Sequence, residues 1–304
     1  MHVCMYVHLS SFSSSSSSPD TIQRFILGVL RWVVRHIPGA GRLAPNAWKI
    51  EPLQPACMEV LRRLHRDINT TFDVGNKDHM DKLKFLWSLS YPGVAFPPKG
   101  TQSQLWKELG YQSDDPLRDF RGGGCLCLDN MIYLASRQPA LFDRLRFRER
   151  HAPRVARTSN SDDDGDINPA APADPPQESR RTPPPIPADL KGYYPFAAAA
   201  VNVTVSLAEI ISIQHTPREA PSSVQAYALA NLCSTTSDTN LNPGDGFHRV
   251  FCATMDLLDR KFAEAGATCM QFPTVIKEAL KIVDKQLYSG FQSLETFEKS
   301  LQEA

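Results

Sequence analysis

The chain has 304 residues, and 33 lysines and arginines balance 33 aspartates and glutamates, leaving no formal net charge. A hydrophobic fraction of 42% is enough for a packed core and excludes wholesale disorder. Neutrality argues against nucleic acid as a partner, which calls for a basic face, and no apolar run approaches the ~18 residues of a membrane span.

Residues 1–21 are expected to be disordered, because the serine run Ser13 to Ser18 ending at Pro19 has nothing to bury. Met1 to Leu9 lacks the positive start and clean apolar stretch of a secretory signal. The Ser-rich, Arg-bearing, acid-poor first fifty residues leave an organelle transit peptide open. Within 22–51, the stretch 22–37 predicts an amphipathic helix. Ile22, Ile26, Val29, Val33 and Ile37 form one face, Arg24, Arg31 and Arg35 the other, and Pro38-Gly39 the stop. Packing on the domain is the first reading of that helix, and lying on an acidic membrane surface the second.

From residue 52 to 290 the periodicity is helical and predicts one all-α domain. Met80, Leu83, Leu86 and Trp87 make one stripe, and Thr101 with Gln104 reads as a capping box opening a short helix that carries Leu105, Trp106 and Leu109. Arg144, Arg146, Arg148, Arg150, Arg154 and Arg157 form a basic run against a single acid, Glu149. That run reads as a solvated face or as attraction to an acidic membrane surface. Residues 151–190 hold nine of the 24 prolines and no aromatic residue, and are expected to be a disordered insertion. Residues 196–213 are ambiguous: their β-branched residues suggest a strand, but their length favours a buried helix. Phe247, Val250, Phe251, Leu258 and Phe262, then Ile276, Leu280, Val283 and Leu287, supply two further stripes. Residues 291–304 read as a C-terminal tail.

Seven cysteines, with no CxxC and no histidine at zinc spacing, read as reduced thiols used as small apolar side chains. No metal, no cofactor and a cytoplasmic address are expected.

The densest signal is 106–134, WKELGYQSDDPLRDFRGGGCLCLDNMIYL. It predicts a short helix ending at Gly110, a loop from Tyr111 to Phe120, then Arg121, three glycines and a new helix. A P-loop would need a lysine after the glycines, and a dinucleotide fingerprint a third glycine where Cys127 stands. Two readings of Arg121 remain. Its forked, permanently charged guanidinium could meet a phosphate, or it could pair with Asp115 or Asp119 while Gly122, Gly123 and Gly124 let helices pack closely.

At these residues the sequence resembles the ELMO domain family, in particular its small ELMO domain-containing members. Trp106, Gly110, Gln112, Pro116, Asp119, Phe120, Arg121, Gly122, Gly124 and Leu128 stand at the family's spacing. The likeness extends over about 55–290, through YPFAAAAVNVT at 194–204 and Met270-Gln271-Phe272. It departs at Tyr111 for a usual Phe, Arg118 for a usual Thr and Met131 for a usual Leu. The resemblance implies a GTPase-activating protein for Arf-family small GTPases, with no self-contained active site. Arg121 would be the catalytic arginine supplied to a GTP-bound Arf or Arf-like partner, with peripheral membrane association in view. It implies a partner-facing loop built from Trp106, Gly110, Gln112, Asp115, Pro116, Asp119, Phe120, Gly122, Gly123 and Gly124, in which Asp115 and Asp119 would orient the guanidinium or cap the next helix and Trp106 and Phe120 would be core anchors rather than contacts. The glycines would let the loop approach the nucleotide. The alternative it leaves open is a non-catalytic scaffold that binds a small GTPase or its exchange factor.

Overall fold

The computed structural model describes residues 53–98, 100–147, 192–218, 229, 245–289, 291 and 293–304. The expectations for 1–21, 22–51 and 151–190 lie outside these. Nine α-helices are described: α1 (Pro55–Asn69), α2 (Lys77–Ser90), α3 (Gln104–Glu108), α4 (Gly124–Arg137), α5 (Pro139–Phe147), α6 (Phe196–Ile210), α7 (Asp245–Glu264), α8 (Phe272–Ser289) and α9 (Leu294–Gln302). A 3-10 helix, Pro116–Gly122, precedes α4, and a second short one, Cys269–Gln271, leads into α8. No β-strand occurs among the described residues, so the domain is all-α as the periodicity predicts.

Each helix forms because a burial stripe coincides with sound end chemistry. Cys57, Leu61, Leu64 and Ile68 line the buried face of α1, whose Pro55 sits where a missing N–H costs nothing. The Asn76 side chain caps α2 by accepting from the Asp78 and His79 amides, and Leu83, Leu86 and Trp87 are its buried residues, with Met80 half-buried beside them. The 196–213 segment is the buried helix α6, its Ala197–Ala200 run allowing close approach on all sides.

Two helices organise the core. α4 packs against α1, α2, α5, α6 and α7; α7 packs in turn against α6, α8 and α9. Between them runs a buried polar chain: the His248 ring lies 2.6 Å (Nδ1) from Asn130 Oδ1, and Asn130 Nδ2 donates to Thr204 Oγ1 at 2.9 Å. Thr204 passes the bond to the Ala200 carbonyl at 2.9 Å, so α4, α6 and α7 are tied by groups that leave no unmet partner along the line. Tyr133 stacks on the His248 ring at 5.1 Å. Burial holds His248 neutral, its pKa lowered to about 3.

Three expectations are corrected. The cap of α3 is Ser103, which accepts from the Leu105 amide. The Thr101 hydroxyl instead donates to Asp115, so no Thr101–Gln104 capping box forms. The segment 291–304 is more than a tail: α9 buries Leu294, Phe297 and Leu301 against α7, and Arg249 reaches across to Glu298 at 2.6 Å and Glu295 at 3.2 Å. In the basic run, Arg144 and Arg146 are committed internally. Arg144 pairs with Asp256 and, at 3.4 Å, with the buried Asp259, which Tyr194 also meets at 3.0 Å; Arg146 pairs with Asp143 and lies over the Phe142 ring. These two cations neutralise their own fold and are not a free basic face.

The described cysteines 57, 125, 127, 252 and 269 are free thiols. Burial pushes Cys125 up to about 11 and Cys127 up to about 12, which keeps both protonated and unreactive. No three His, Cys, Asp or Glu side chains among the described residues come together as a metal site would need, and no described helix is long and apolar enough to cross a membrane.

Candidate functional site

The loop that carries Arg121 is built on a reversal at Gly110. Its φ of +95° is open to glycine, and a Cβ there would come within 2.5 Å of the Phe196 nitrogen. That closeness has a purpose. Pro195 gives α6 no side-chain cap, so the Leu109 and Gly110 carbonyls take the amides of Ala197 and Ala198, each at 3.1 Å. The start of the loop is thereby locked to the N-terminus of a core helix.

From Gly110 the chain is held by rings. Trp87 and Trp106 meet edge to face at 5.0 Å, Trp106 and Tyr111 at 5.7 Å, Tyr111 and Phe120 at 5.8 Å, and Phe120 touches Phe72 at 6.3 Å. The row runs from α2 to the residue before Arg121, each contact adding about 0.5–1.5 kcal/mol beyond its burial. Trp106 also donates from Nε1 to the Thr101 carbonyl at 2.8 Å. The Tyr111 hydroxyl is the exception: it is buried with no hydrogen-bond partner among the described residues, and burial raises its pKa well above the usual value.

The two acids that could have neutralised Arg121 are otherwise engaged. Asp115 caps the 3-10 helix, its Oδ1 accepting from the Leu117 amide at 3.2 Å and from Thr101 Oγ1 at 3.1 Å. Asp119 Oδ2 accepts from the Gln112 amide at 3.0 Å; burial above all raises its carboxyl from the ordinary value, and Asp115 adds to that. Both are half-buried. Arg121 is exposed, and neither it nor exposed Arg118 makes an ion pair or side-chain hydrogen bond among the described residues. The sequence left pairing with Arg121 and capping of the next helix both open for these acids; Asp115 caps the 3-10 helix, and Asp119 binds the Gln112 amide.

The glycines after Arg121 divide by function. Gly122 is exposed, and a Cβ there would meet only Val205 Cγ2 at 3.5 Å. Gly123 and Gly124 are buried. A Cβ on Gly123 would fall 2.4 Å from the Cys127 sulfur, and one on Gly124, whose φ is +54°, between 2.5 and 2.7 Å from the carbonyl oxygens of Ile68, Asp67 and Thr70. The Cys125 amide donates to the Thr70 carbonyl at 2.9 Å, so the N-terminus of α4 sits on the C-terminus of α1 with complementary dipole ends. These two glycines admit the protein's own atoms rather than a ligand, side chains at Gly123 and backbone carbonyls at Gly124.

Of the residues singled out from sequence, Gln112, Arg121 and Gly122 face outward, as does Arg118. Asp115 and Asp119 brace the turn, and Trp106, Gly110, Pro116, Phe120, Gly123 and Gly124 are buried beneath it. Sequence reasoning missed Phe72 as a support and read Thr101 as a helix cap rather than as the partner of Trp106 and Asp115. Phe72 sits in no periodic run and meets Phe120 across a long chain separation.

The chain is 29% identical over 223 residues to ELMO domain-containing protein C of Dictyostelium discoideum, covering 72% of this chain and 28% of that protein. It is 27% identical over 238 residues to ELMO domain-containing protein A of the same organism, covering 76% and 20%. A shorter match, 39% over 82 residues, is to ELMO domain-containing protein 1 of Homo sapiens, covering 27% and 22%. The chain thus spans less than a third of the length of each of these relatives. The model of the ELMO/CED-12 family matches residues 62–276, a range that takes in α2 to α7, the arginine-bearing turn and most of α1. On that match the chain belongs to the ELMO/CED-12 family.

Proposed function

We propose that this protein stimulates GTP hydrolysis by an Arf-family small GTPase, inserting Arg121 into the partner's nucleotide site. The observation that carries the reading is a guanidinium held outward on a braced turn while both neighbouring carboxylates are spent on backbone amides. A GTPase that holds GTP and magnesium still leaves charge on the transferring phosphoryl group undercompensated. An arginine supplied from outside offsets that charge and is worth about 10³–10⁵ in rate. The reaction stays in the partner; this chain supplies position and charge. Its site of action would be the cytoplasmic face of membranes, where such partners work.

The test is single-turnover hydrolysis of GTP by a panel of Arf and Arf-like proteins with and without the chain. Stimulation that disappears in Arg121→Lys is the expected result, because a point ammonium cannot span phosphate oxygens as the planar fork does. Partner binding without any stimulation by the wild-type chain would replace this reading with the scaffold. Full stimulation by a stable Arg121→Ala variant would end it.

A further inference from the structure

The turn presents two cations where one would suffice. Arg118 and Arg121 are three residues apart in the 3-10 helix Pro116–Gly122. In that geometry side chains at i and i+3 eclipse, so the two guanidiniums leave from one face, their Cα atoms about 6 Å apart along the axis. Both are exposed, and neither has an acidic partner among the described residues. Two like charges so placed repel each other, and the acids of the same helix and its cap, Asp119 and Asp115, accept from backbone amides and pair with neither arginine. The scaffold under them is stiff: Asp115 fixes the first turn, and Phe120, 1% exposed, pins the segment between the two arginines. A rigid cation pair with no ion-pair partner among the described residues is relieved best by a single ligand with more than one negative charge.

We infer that Arg118 and Arg121 together form a two-arginine polyphosphate site, in which Arg118 holds the phosphate chain that Arg121 acts on. The inference rests on the reading of Arg121 above and adds a second residue to it. Arg118 contacts the anion equally before and during phosphoryl transfer. It therefore sets how tightly the GTP-bound partner is held rather than how fast the bond breaks.

The first experiment uses the whole chain alone, titrated with tripolyphosphate while the arginine Nε–H signals are followed by NMR. Arg118 and Arg121 are expected to shift with one common midpoint, at lower concentration than orthophosphate requires. In Arg118→Gln the midpoint seen at Arg121 should rise about fivefold. Separate midpoints, or shifts no larger than that of Arg137, an exposed arginine that makes no ion pair among the described residues, would overturn the pair as a site. The second experiment uses a GTPase that the wild type stimulates. There Arg118→Gln should raise the half-saturating concentration of the chain about fivefold and leave the plateau rate within about twofold. An unchanged half-saturating concentration would show that Arg118 does not reach the partner's nucleotide and would overturn the inference. If the wild type stimulates no GTPase, the activating function fails, and the phosphate titration still decides whether the two arginines act as one site. Binding confined to vesicles containing phosphatidylinositol bisphosphate, with no response to tripolyphosphate, would also overturn it.

Discussion

Single side chains in the turn separate into those that hold it and those it holds out. Arg121 supports nothing: no ion pair among the described residues depends on it, so Arg121→Ala should melt within about 0.5 kcal/mol of the wild type. A loss well beyond that by thermal or urea denaturation would mean the guanidinium braces the fold after all. Tyr111 is the opposite case. Its ring belongs to the aromatic row, but its hydroxyl is buried and unpaired among the described residues, and such a group costs about 1–3 kcal/mol. Tyr111→Phe keeps the ring, deletes the orphan and should raise stability by about 1 kcal/mol, read as a higher urea midpoint at unchanged m-value. The sequence alone marks this position only through its departure from the Phe usual in the family. The structure supplies the reason Phe would suit it.

At the level of elements, the junction of α1 with α4 fixes where the turn stands. Gly124→Ala places a methyl within 2.7 Å of three carbonyl oxygens and forces a left-handed backbone on an L-residue. Carbonyls of the last turn of α1 cannot move aside cheaply, so a loss above about 3 kcal/mol is expected. Gly122→Ala, meeting only a methyl at 3.5 Å, should change stability by less than about 1 kcal/mol and serves as the matched control. Equal effects in the two variants, compared by calorimetry, would contradict this division of the glycine run. At the other end of the domain, Phe297→Ala should cost about 3–5 kcal/mol, since this fully buried ring anchors α9 to the rest. The stripes of α2 and α7 were legible in sequence because helical periodicity is a strong signal, and α6 was legible through its length alone, since its β-branched residues also suit a strand. Helix α9 was not, because Leu294, Phe297 and Leu301 are only three apolar points in a short polar segment. Capping by Asp115 was among the roles the sequence offered; the bond of Asp119 back to the Gln112 amide was not, because no short-range pattern links those two residues.

For the molecule as a whole, pH response follows from the chain His248–Asn130–Thr204, which no short-range pattern announces because its members lie on three helices. His248 binds no proton in the folded state until about pH 3, whereas in the unfolded chain it does so near its ordinary value of 6.5. Below pH 6.5 the unfolded state therefore takes up the extra proton, and its contribution to stability falls with falling pH at up to about 1.4 kcal/mol per pH unit down to about pH 3. Above pH 7 the contribution is complete and flat. Urea titrations of the wild type and His248→Gln across pH 4–7.5 should show the steeper slope in the wild type. Parallel curves would show that other groups govern acid sensitivity.

The amides of Ala197 and Ala198 find their carbonyls at Leu109 and Gly110, far back along the chain, and that order in sequence sets a timetable on the ribosome. Helices α1 to α5 emerge first, with α4 carrying apolar residues meant for α6 and α7. At about 5–20 residues per second, several seconds of synthesis pass before those helices arrive. During that interval the arginine-bearing turn has no anchor at Gly110, and the half-made domain shows its greasy side to water. Newly made chains should therefore depend on chaperones in a way that finished ones do not.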